Sequence, residues 1–298
     1  MKHILQYLSR NKSAYFFIAP GIAIIAFLIL FPIIQSVIMS FTDWYLLSTK
    51  LGHPFVGLAN YQAIFSMSQF QTMLRVTALY TILTVSGKMF LGLGTALLLN
   101  RKFFGRGIVR AIMVIPWAMP TLVVCIVFRV ALDPVFGLLN SMLLDLNIIH
   151  ENINFLLQPT LALTSVIIIA IWRYFPFVTL MLLAALHGIP EALYEVASID
   201  GANVWQKFAH ITWPLLKPVW TIVLILQIVW TVKEFDLVYL VTRGGPDFAT
   251  ELIGIDVYVN AFQFYELGIA SAEGMFLILF SILFAVIYVK FVGKKGNI

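Results

Sequence analysis

The sequence predicts an all-α integral membrane protein with six transmembrane helices and both termini in the cytoplasm. Of the 298 residues, 61% are hydrophobic and 11% are charged, whereas soluble domains are about 45–50% apolar and about 25% charged. The mean hydropathy is +0.96. A soluble core of this size has no room for so many apolar side chains, which excludes soluble enzymes and soluble nucleic-acid-binding proteins.

Six apolar stretches are long enough to cross a membrane, because a spanning helix needs about 20 mostly apolar residues for a hydrocarbon layer of roughly 30 Å. They are Ala14–Ser40, Val76–Leu99, Ile108–Ala131, Thr160–Leu186, Pro218–Leu240 and Ala270–Val289. Several of them contain proline, which membrane helices tolerate when neighbouring helices satisfy the freed carbonyl groups.

The distribution of basic residues sets the orientation of these spans. With the N-terminus inside, twelve of the nineteen Lys and Arg residues fall in the inner segments, together with three of the fourteen acidic residues. Cytoplasmic loops carry an excess of Lys and Arg, so both termini are expected in the cytoplasm. The formal net charge of +5 therefore reflects membrane topology and does not indicate nucleic-acid binding.

The connections offer little sign of enzymatic chemistry. Two outer segments, 42–75 and 242–269, are long. Segment 42–75 could form an ordered arm on the membrane surface or an ordinary connecting loop, and its sequence is compatible with either. The five histidines are scattered, with no pair at metal-ligand spacing. The acidic pair Glu191 and Glu195 lies on a predicted surface helix and not in a cleft. We therefore expect neither a metal site nor catalytic residues.

The inner segment 187–217 is too polar to cross the membrane and too long for a tight turn. Pro190 suits the first position of a helix, and the Asp200–Gly201 dipeptide predicts a turn that reverses the chain. A second helix follows, and Pro214 is expected to end it. The pattern indicates a compact helix–turn–helix at the cytoplasmic face. A docking knob and a surface-lying amphipathic hairpin explain it about equally well.

This inner segment carries a motif with a family resemblance. The motif is Glu195-x-Ala197-x-x-Asp200-Gly201-Ala202, followed after eight residues by Ile211-x-x-Pro214. It resembles the EAA loop of bacterial ABC importer permeases. Further matching blocks occur in order along residues 71–290: Ile115-Pro116-x-x-x-Pro120, Gly137-x-x-Asn140, Ile171-Trp172-Arg173-x-x-Pro176-Phe177, Leu183-x-Ala185-Leu186 and Gly244-Gly245-Pro246. The chain is most similar to sugar permeases of the maltose and glycerol-3-phosphate type.

The resemblance implies the type I ABC importer permease fold in the bacterial inner membrane. Residues 1–13 and 291–298 would be cytoplasmic tails, and 14–70 would hold the first transmembrane helix and a periplasmic arm. Residues 71–290 would form the permease core of five transmembrane helices, with the EAA coupling loop at about 187–217. The chain would be a non-catalytic subunit that translocates a sugar by alternating access.

The resemblance also implies a heteromeric assembly. A pair of ABC ATPase subunits would bind ATP and Mg²⁺, since this sequence contains no Gly-x-x-x-x-Gly-Lys-Ser/Thr motif and is expected to bind no cofactor itself. A second homologous permease, an extracytoplasmic solute-binding protein and membrane lipid are the other expected partners. The residues that couple to the ATPase would be Glu195, Ala197, Asp200, Gly201 and Ala202. Glu195 would face a basic residue of the ATPase, and Gly201 would permit the bend.

Polar residues that interrupt the spans mark the expected substrate pathway. In span four, Arg173 lies among aromatic residues. In span five, spacings of three and four place a polar and aromatic set on one helix face: Gln227, Trp230, Thr231 and Glu234. By resemblance to maltose-type permeases, the substrate contacts fall on seven positions: Ala170, Arg173, Tyr174, Phe177, Gln227, Trp230 and Thr231. Aromatic faces beside hydrogen-bonding groups suit a sugar.

Several alternatives stay open from the sequence. Arg173 could instead form a structural ion pair with Glu234 or Asp236, or extend to a membrane interface. Lys88 is expected to pair within the chain or face the partner permease more readily than to contact the solute. Cationic Arg173 and Lys233 would suit an acidic sugar or a phosphorylated polyol. An ion-coupled secondary transporter is the remoter possibility, which would show an internal repeat with broken helices; we find no clear repeat.

Overall fold

The computed structural model describes residues 12–48 and 52–293, so most of the predicted terminal tails, 1–13 and 291–298, lie outside the described residues. Within these ranges the secondary structure is helical apart from isolated β-bridges. The α-helices are α1 (Lys12–Ile25), α2 (Phe31–Ser40), α3 (Ala59–Ser66), α4 (Ser68–Asn100), α5 (Arg106–Ala118), α6 (Thr121–Ala131), α7 (Leu138–Asp145), α8 (Pro159–His187), α9 (Glu191–Ile199), α10 (Val204–Lys207), α11 (Trp213–Val232), α12 (Asp236–Thr242), α13 (Ile253–Phe262) and α14 (Leu267–Gly293). Two π-helical turns, Ala26–Leu30 and Phe208–Thr212, join α1 to α2 and α10 to α11.

The chain forms two compact units. One ends at Ser66 and is completed by Val257–Phe276; the other contains Met67–Asp256 and resumes at Leu277. The second unit contains α4 to α12 and therefore holds both segments that the sequence analysis singled out, the polar spans and the inner helix–turn–helix.

Four helical runs are long and apolar enough to cross a membrane: Phe17–Ser40, Ser68–Asn100, Pro159–His187 and Val204–Val232. They correspond to the predicted spans one, two, four and five. The pair α5 and α6 corresponds to the third span, and the apolar helix α14 covers the sixth. The predicted all-α membrane fold is confirmed, although the third and fifth spans differ from the single straight helices that we expected.

The third span is broken in its middle. We expected one helix over Ile108–Ala131, and this is wrong, because α5 and α6 form an angle of 93°. Met119 between them is extended, with φ −70° and ψ 141°, as the steric clash with the ring of a following proline favours. Pro120 also lacks an N–H group, so the helical hydrogen-bond ladder is interrupted at this point.

The fifth span begins earlier than expected, because Pro214 does not end the preceding helix. α10, the π-helical turn and α11 run continuously over Val204–Val232. At the end of the turn the Trp213 N–H donates to the Phe208 carbonyl, five residues back. In an α-helix the proline ring would clash with the carbonyl four residues back, and the wider π-helical turn gives it room.

The same span ends at Val232 instead of Leu240. Lys233 takes a non-helical conformation with φ −93° and ψ 9°, and α12 begins only at Asp236. An interruption at this depth is tolerated where the freed backbone lines a cavity. Glu234 therefore lies beyond the helix and not on the helix face where we predicted it.

Helices α4 and α8, the longest of the second unit, pack closely at glycine positions. A Cβ atom at Gly92 would lie 2.5 Å from Val178 Cγ1, and one at Gly87 would collide with a side chain of α8. Thr95 and Thr179 share a hydroxyl hydrogen bond of 2.5 Å. Small residues let membrane helices approach in this way. The buried core around this contact includes Val85, Met89, Leu182, Leu186, Leu216 and Val223.

The first unit contains most of the predicted outer arm. Asn60 on α3 donates from Nδ2 to the carbonyl oxygens of Ser40, at 3.0 Å, and Thr42, at 2.9 Å. The Trp44 ring stacks on His53 with ring centroids 3.8 Å apart. The described part of the arm is thus held by its own hydrogen bonds and ring contacts, which favours an ordered arm over an open loop.

Replacing Gly92 by Ala is expected to lower the free energy of unfolding by about 1–3 kcal/mol, the usual cost of overpacking a close contact. Gly94 is the matched control, because a Cβ atom there meets nothing within 4 Å. Gly94→Ala should be neutral or stabilise by roughly 0.5–1 kcal/mol through helix propensity. Denaturant unfolding of the purified protein measures both variants, and equal effects would contradict the close packing of α4 on α8.

Glu251, in the segment between α12 and α13, predicts a pH dependence of stability. Burial, and secondarily the negative charge of Asp256, raises the pKa of Glu251 from 4.5 to about 7. The folded protein therefore holds a proton that the unfolded chain has lost between these values, so this contribution to stability falls as pH rises from about 4.5 through 7. We expect Glu251→Gln to remove this slope and to raise the unfolding temperature at pH 8. An unchanged slope in the variant would show that another group causes it.

Candidate functional site

Helices α4, α8 and α11 and the break after α11 enclose a cavity of about 290 Å³. The cavity lies within the second unit. Its lining combines four charged side chains with an amide and three aromatic rings: Lys88, Tyr174, Gln227, Trp230, Lys233, Glu234, Phe235 and Asp236. The interruption at Lys233 brings the charged residues to the cavity, because the chain leaves the helix there before α12 begins.

A polar stripe along α4 leads to this cavity. Spacings of four, three and four place Thr77, Thr81, Thr84 and Lys88 on one face of the helix, and all four side chains are buried. Lys88 is only 2% exposed. Its Nζ donates to Thr231 Oγ1 at 3.1 Å and lies 4.6 Å from the centroid of the Tyr174 ring. Lys88 thus has partners within the chain, which is one of the roles left open by the sequence.

Arg173 binds the broken third span and does not line the cavity. Its Nη1 donates to the Met119 carbonyl at 2.7 Å, and its Nη2 donates to Thr121 Oγ1 at 2.9 Å. Among the described residues the single ion pair joins Lys102 and Glu191 on the protein surface, at 3.4 Å. The proposed ion pair of Arg173 with Glu234 or Asp236 is therefore not formed. In this structure Arg173 instead binds a backbone carbonyl that the break in the third span leaves without a helical partner.

The aromatic residues form one connected group. The Trp230 ring is 48% exposed and meets Phe177 edge to face, with centroids 5.1 Å apart. Phe177 in turn lies 5.8 Å from Trp117 of α5. Trp230 is thus half exposed, lines the cavity and is held in place by its contact with Phe177.

The structure distributes the seven predicted substrate contacts unevenly. Three of them line the cavity: Tyr174, Gln227 and Trp230. Thr231 does not line it, but its hydroxyl accepts a hydrogen bond from Lys88, which does. Phe177 packs behind the lining, and Ala170 is fully buried. Phe235 and Asp236 also line the cavity and are not among the predicted contacts, because the sequence predicts a continuous helix over this stretch.

The cavity offers a polar ligand both hydrogen-bonding partners and ring faces. Two carboxylates accept hydrogen bonds, two ammonium groups donate them, and the Gln227 amide does both. Trp230 and Tyr174 supply apolar ring faces beside these groups. Binding sites of small molecules commonly combine an apolar wall with a few convergent polar groups in this manner.

The inner helix–turn–helix has the predicted turn at Asp200–Gly201. Gly201 has φ +77°, in the left-handed region that glycine adopts without steric cost. The Ala202 N–H donates to the Ala197 carbonyl at 2.9 Å, which closes the end of α9. Asn203 then caps α10 through a reciprocal pair of hydrogen bonds with Gln206.

This hairpin exposes large apolar side chains at its tip. Ile199 is 85% exposed and Trp205 is 81% exposed, and Glu195 is also exposed on α9. Tyr194 on the opposite side shares a hydrogen bond of 2.9 Å with Thr212 of the π-helical turn. The hairpin is therefore fixed to the foot of the fifth span and presents an unpartnered apolar surface.

Known relatives match nearly the whole chain. The trehalose/maltose transport system permease protein MalF of Thermococcus litoralis is 37% identical over 287 residues, which cover 95% of this chain and 94% of the relative. The sulfoquinovosyl glycerol transport system permease protein SmoG of Agrobacterium fabrum is 32% identical, and the match covers 93% of this chain and 89% of the relative.

A solved structure shares the fold, and a family description matches most of the chain. A bacterial ABC transporter involved in the import of the acidic polysaccharide alginate superposes with a TM-score of 0.86 at 22% identity, over 99% of this chain and 100% of that chain. The family described as binding-protein-dependent transport system inner membrane component matches residues 88–295. The chain therefore belongs to this family and is the inner-membrane permease subunit of an ATP-driven ABC importer.

Proposed function

We propose that this permease translocates a saccharide and that the cavity between α4, α8 and α11 is its binding site in the membrane. The observation that carries the proposal is the half-exposed Trp230 beside the amide of Gln227 and the four charged side chains of the cavity wall. Saccharides present apolar C–H faces to aromatic rings and hydroxyl groups to hydrogen-bonding side chains, and this lining serves both. The names of the relatives, a trehalose/maltose permease and a sulfoquinovosyl glycerol permease, support the same class.

An acidic sugar or a phosphorylated polyol is the second candidate ligand. Lys88 and Lys233 both line the cavity and would attract a carboxylate, sulfonate or phosphate group. Glu234 and Asp236 balance these charges, and Lys88 already donates to Thr231. The charge balance favours a neutral saccharide, and the two ammonium groups keep the acidic ligand as the alternative.

The hairpin of α9 and α10 docks on an ATPase subunit in this proposal. Its exposed Ile199 and Trp205 have the character of interface residues, since aromatic and apolar anchors carry most of the energy of protein contacts. Glu195 offers a carboxylate to a basic group of the ATPase, and Asp200, Gly201, Ala202 and Ala197 shape the turn. Closure of an ATPase pair would move the hairpin, and the cavity would open alternately to the two sides.

The remaining expected partners follow from the same assembly. The first span, Phe17–Ser40, has none of its most apolar window buried within this chain, which suits contact with lipid and with a second permease. A solved alginate transporter is described in complex with a periplasmic protein that carries an alginate pentasaccharide. By analogy we assign the delivery of the solute to an extracytoplasmic binding protein, with ATP and Mg²⁺ bound by the ATPase subunits.

Glu195→Lys and Gly201→Asp are expected to uncouple ATP hydrolysis from uptake. The first reverses the charge that faces the ATPase, and the second places a side chain at a positive φ. We expect solute accumulation to fall by roughly tenfold, equivalent to about 1.4 kcal/mol of docking free energy, at equal amounts of protein in the membrane. Glu151→Lys, an exposed charge reversal outside the hairpin, is the control and should transport normally. Normal solute accumulation in both hairpin variants would contradict the docking proposal.

Trp230→Ala is expected to raise the KM for uptake by roughly two- to tenfold, the range that loss of an aromatic contact predicts. Trp230→Phe keeps a ring face and should recover most of the affinity.

Lys88→Met separates the two ligand classes. Uptake of a neutral saccharide should change little, whereas uptake of an acidic ligand should be mostly lost. Transport by the reconstituted importer over a panel of neutral and acidic sugars measures these effects. An unchanged KM in Trp230→Ala would place the ligand elsewhere.

A further inference from the structure

An apolar groove of about 580 Å³ runs between α5 and α8 in the second unit. Val109, Ile112 and Pro116 line it from α5, and Trp172 and Phe175 line it from α8. On α5 these positions follow spacings of three and four, so the groove runs lengthwise along the helix. Ile112 is 60% exposed, which shows that the groove is open to the outside of the chain.

The groove lies in the cytoplasmic half of the membrane. α5 begins at Arg106, on the cytoplasmic side, and ends at Ala118, where the third span breaks. Its 13 residues rise about 20 Å at 1.5 Å per residue, somewhat more than half of the roughly 30 Å hydrocarbon layer. An occupant of the groove therefore sits among the acyl chains of the inner leaflet.

Basic residues gather at the cytoplasmic end of the groove. Residues 101–118 contain no Asp or Glu, and four cations stand at their start: Arg101, Lys102, Arg106 and Arg110. Phe104 between them is fully exposed. An exposed aromatic ring flanked by cations is typical of a segment that lies at the headgroup level of an anionic membrane surface.

Arg110, near the start of α5, has hydrogen-bond donors without acceptors. Its Nε and Nη2 atoms are shielded from water, and neither has a hydrogen-bond acceptor. These two N–H groups form the fork that binds a phosphate or carboxylate in a bidentate manner. Arg110 is partly exposed, and its side chain has to turn this fork outward to reach a ligand. Unsatisfied donors of a charged group are costly, and Arg110 follows directly after Val109 of the groove wall.

We propose that the groove between α5 and α8 binds one acyl chain of an anionic phospholipid from the inner leaflet, whose phosphate group pairs with Arg106 and Arg110. The apolar wall fits an acyl chain and offers a saccharide no hydrogen-bonding partners apart from the Trp172 indole. The cations at one end fit a phosphate. Lys102 is already paired with Glu191 at 3.4 Å, whereas residues 101–118 supply no carboxylate to Arg106 and Arg110. The site is separate from the polar cavity and does not depend on the transported ligand.

The test uses the purified importer complex in detergent and compares three additives: phosphatidylglycerol, phosphatidylcholine and glycerol phosphate. Phosphatidylglycerol should raise the unfolding temperature and stay bound in native mass spectrometry. Phosphatidylcholine and glycerol phosphate should do neither, because one lacks the net charge and the other lacks the acyl chain. Equal effects of the two lipids, or a full effect of glycerol phosphate, would overturn the proposal.

Substitutions at the groove and at its cytoplasmic end test where the lipid binds. The double variant Arg106→Gln, Arg110→Gln should lose roughly thirtyfold in affinity for phosphatidylglycerol, given the attraction of each basic residue to anionic lipid. Ile112→Trp keeps every charge and fills the groove, so it should lose binding as well. Lys217→Gln, a basic residue near the foot of α11, is the matched control and should bind normally. An equal loss in the control would show non-specific attraction and would reject the site.

A photo-crosslinker at position 112 separates lipid from protein as the occupant. In the assembled complex it should label lipid if the groove is a lipid site. A crosslink to the second permease or to the ATPase would show that a subunit covers the groove, and the lipid proposal would then be wrong.

Discussion

The close contact of α4 with α8 determines where the groups of the candidate site stand. Both helices run from the outer side to the inner side, so they are parallel. Gly92 touches Val178, and one turn earlier on each helix the same register places Lys88 beside Tyr174, where the ammonium group lies 4.6 Å from the ring centroid. A side chain at Gly92 would separate the helices and with them the buried ammonium group from its partners. The glycine contact therefore holds the Lys88 ammonium group beside its partners, which offset the free-energy cost of a charge in the membrane interior.

A second dependence links Arg173 to the broken third span. The break before Pro120 leaves the Met119 carbonyl without a helical partner, and Arg173 donates to it at 2.7 Å. Removing either one would leave a buried polar group unsatisfied. The sequence shows both the prolines and the arginine, yet it predicted a continuous span, because membrane helices often accommodate proline without bending. Pro214 shows the converse, since a π-helical turn absorbs it and the helix continues. Local sequence alone does not decide between these outcomes, which depend on the neighbouring carbonyls.

The candidate site was predictable where it rests on regular helices. Tyr174 and Trp230 lie on α8 and α11, within the predicted spans four and five, because the periodicity of a long helix is fixed. Phe235 and Asp236 could not be assigned, since they line the cavity only because α11 ends at Val232. The charged pair after that end, Lys233-Glu234, was the available signal for an interruption, because a helix that faces lipid rarely carries two adjacent charges.

The continuity of the fifth span gives the hairpin a mechanical connection to the cavity. A single helical run over Val204–Val232 has the exposed tip of the hairpin at its foot and Trp230 at its far end. At 1.5 Å per residue the run is about 40 Å long, so a tilt imposed at the foot displaces the far end as one body. The π-helical turn near the foot, Phe208–Thr212, keeps the run helical past Pro214. The Tyr194 hydrogen bond to Thr212 ties the hairpin to this turn. The sequence predicted that Pro214 would end this helix. A flexible joint at that point would have absorbed the motion of the hairpin, so that the motion would not have reached the cavity.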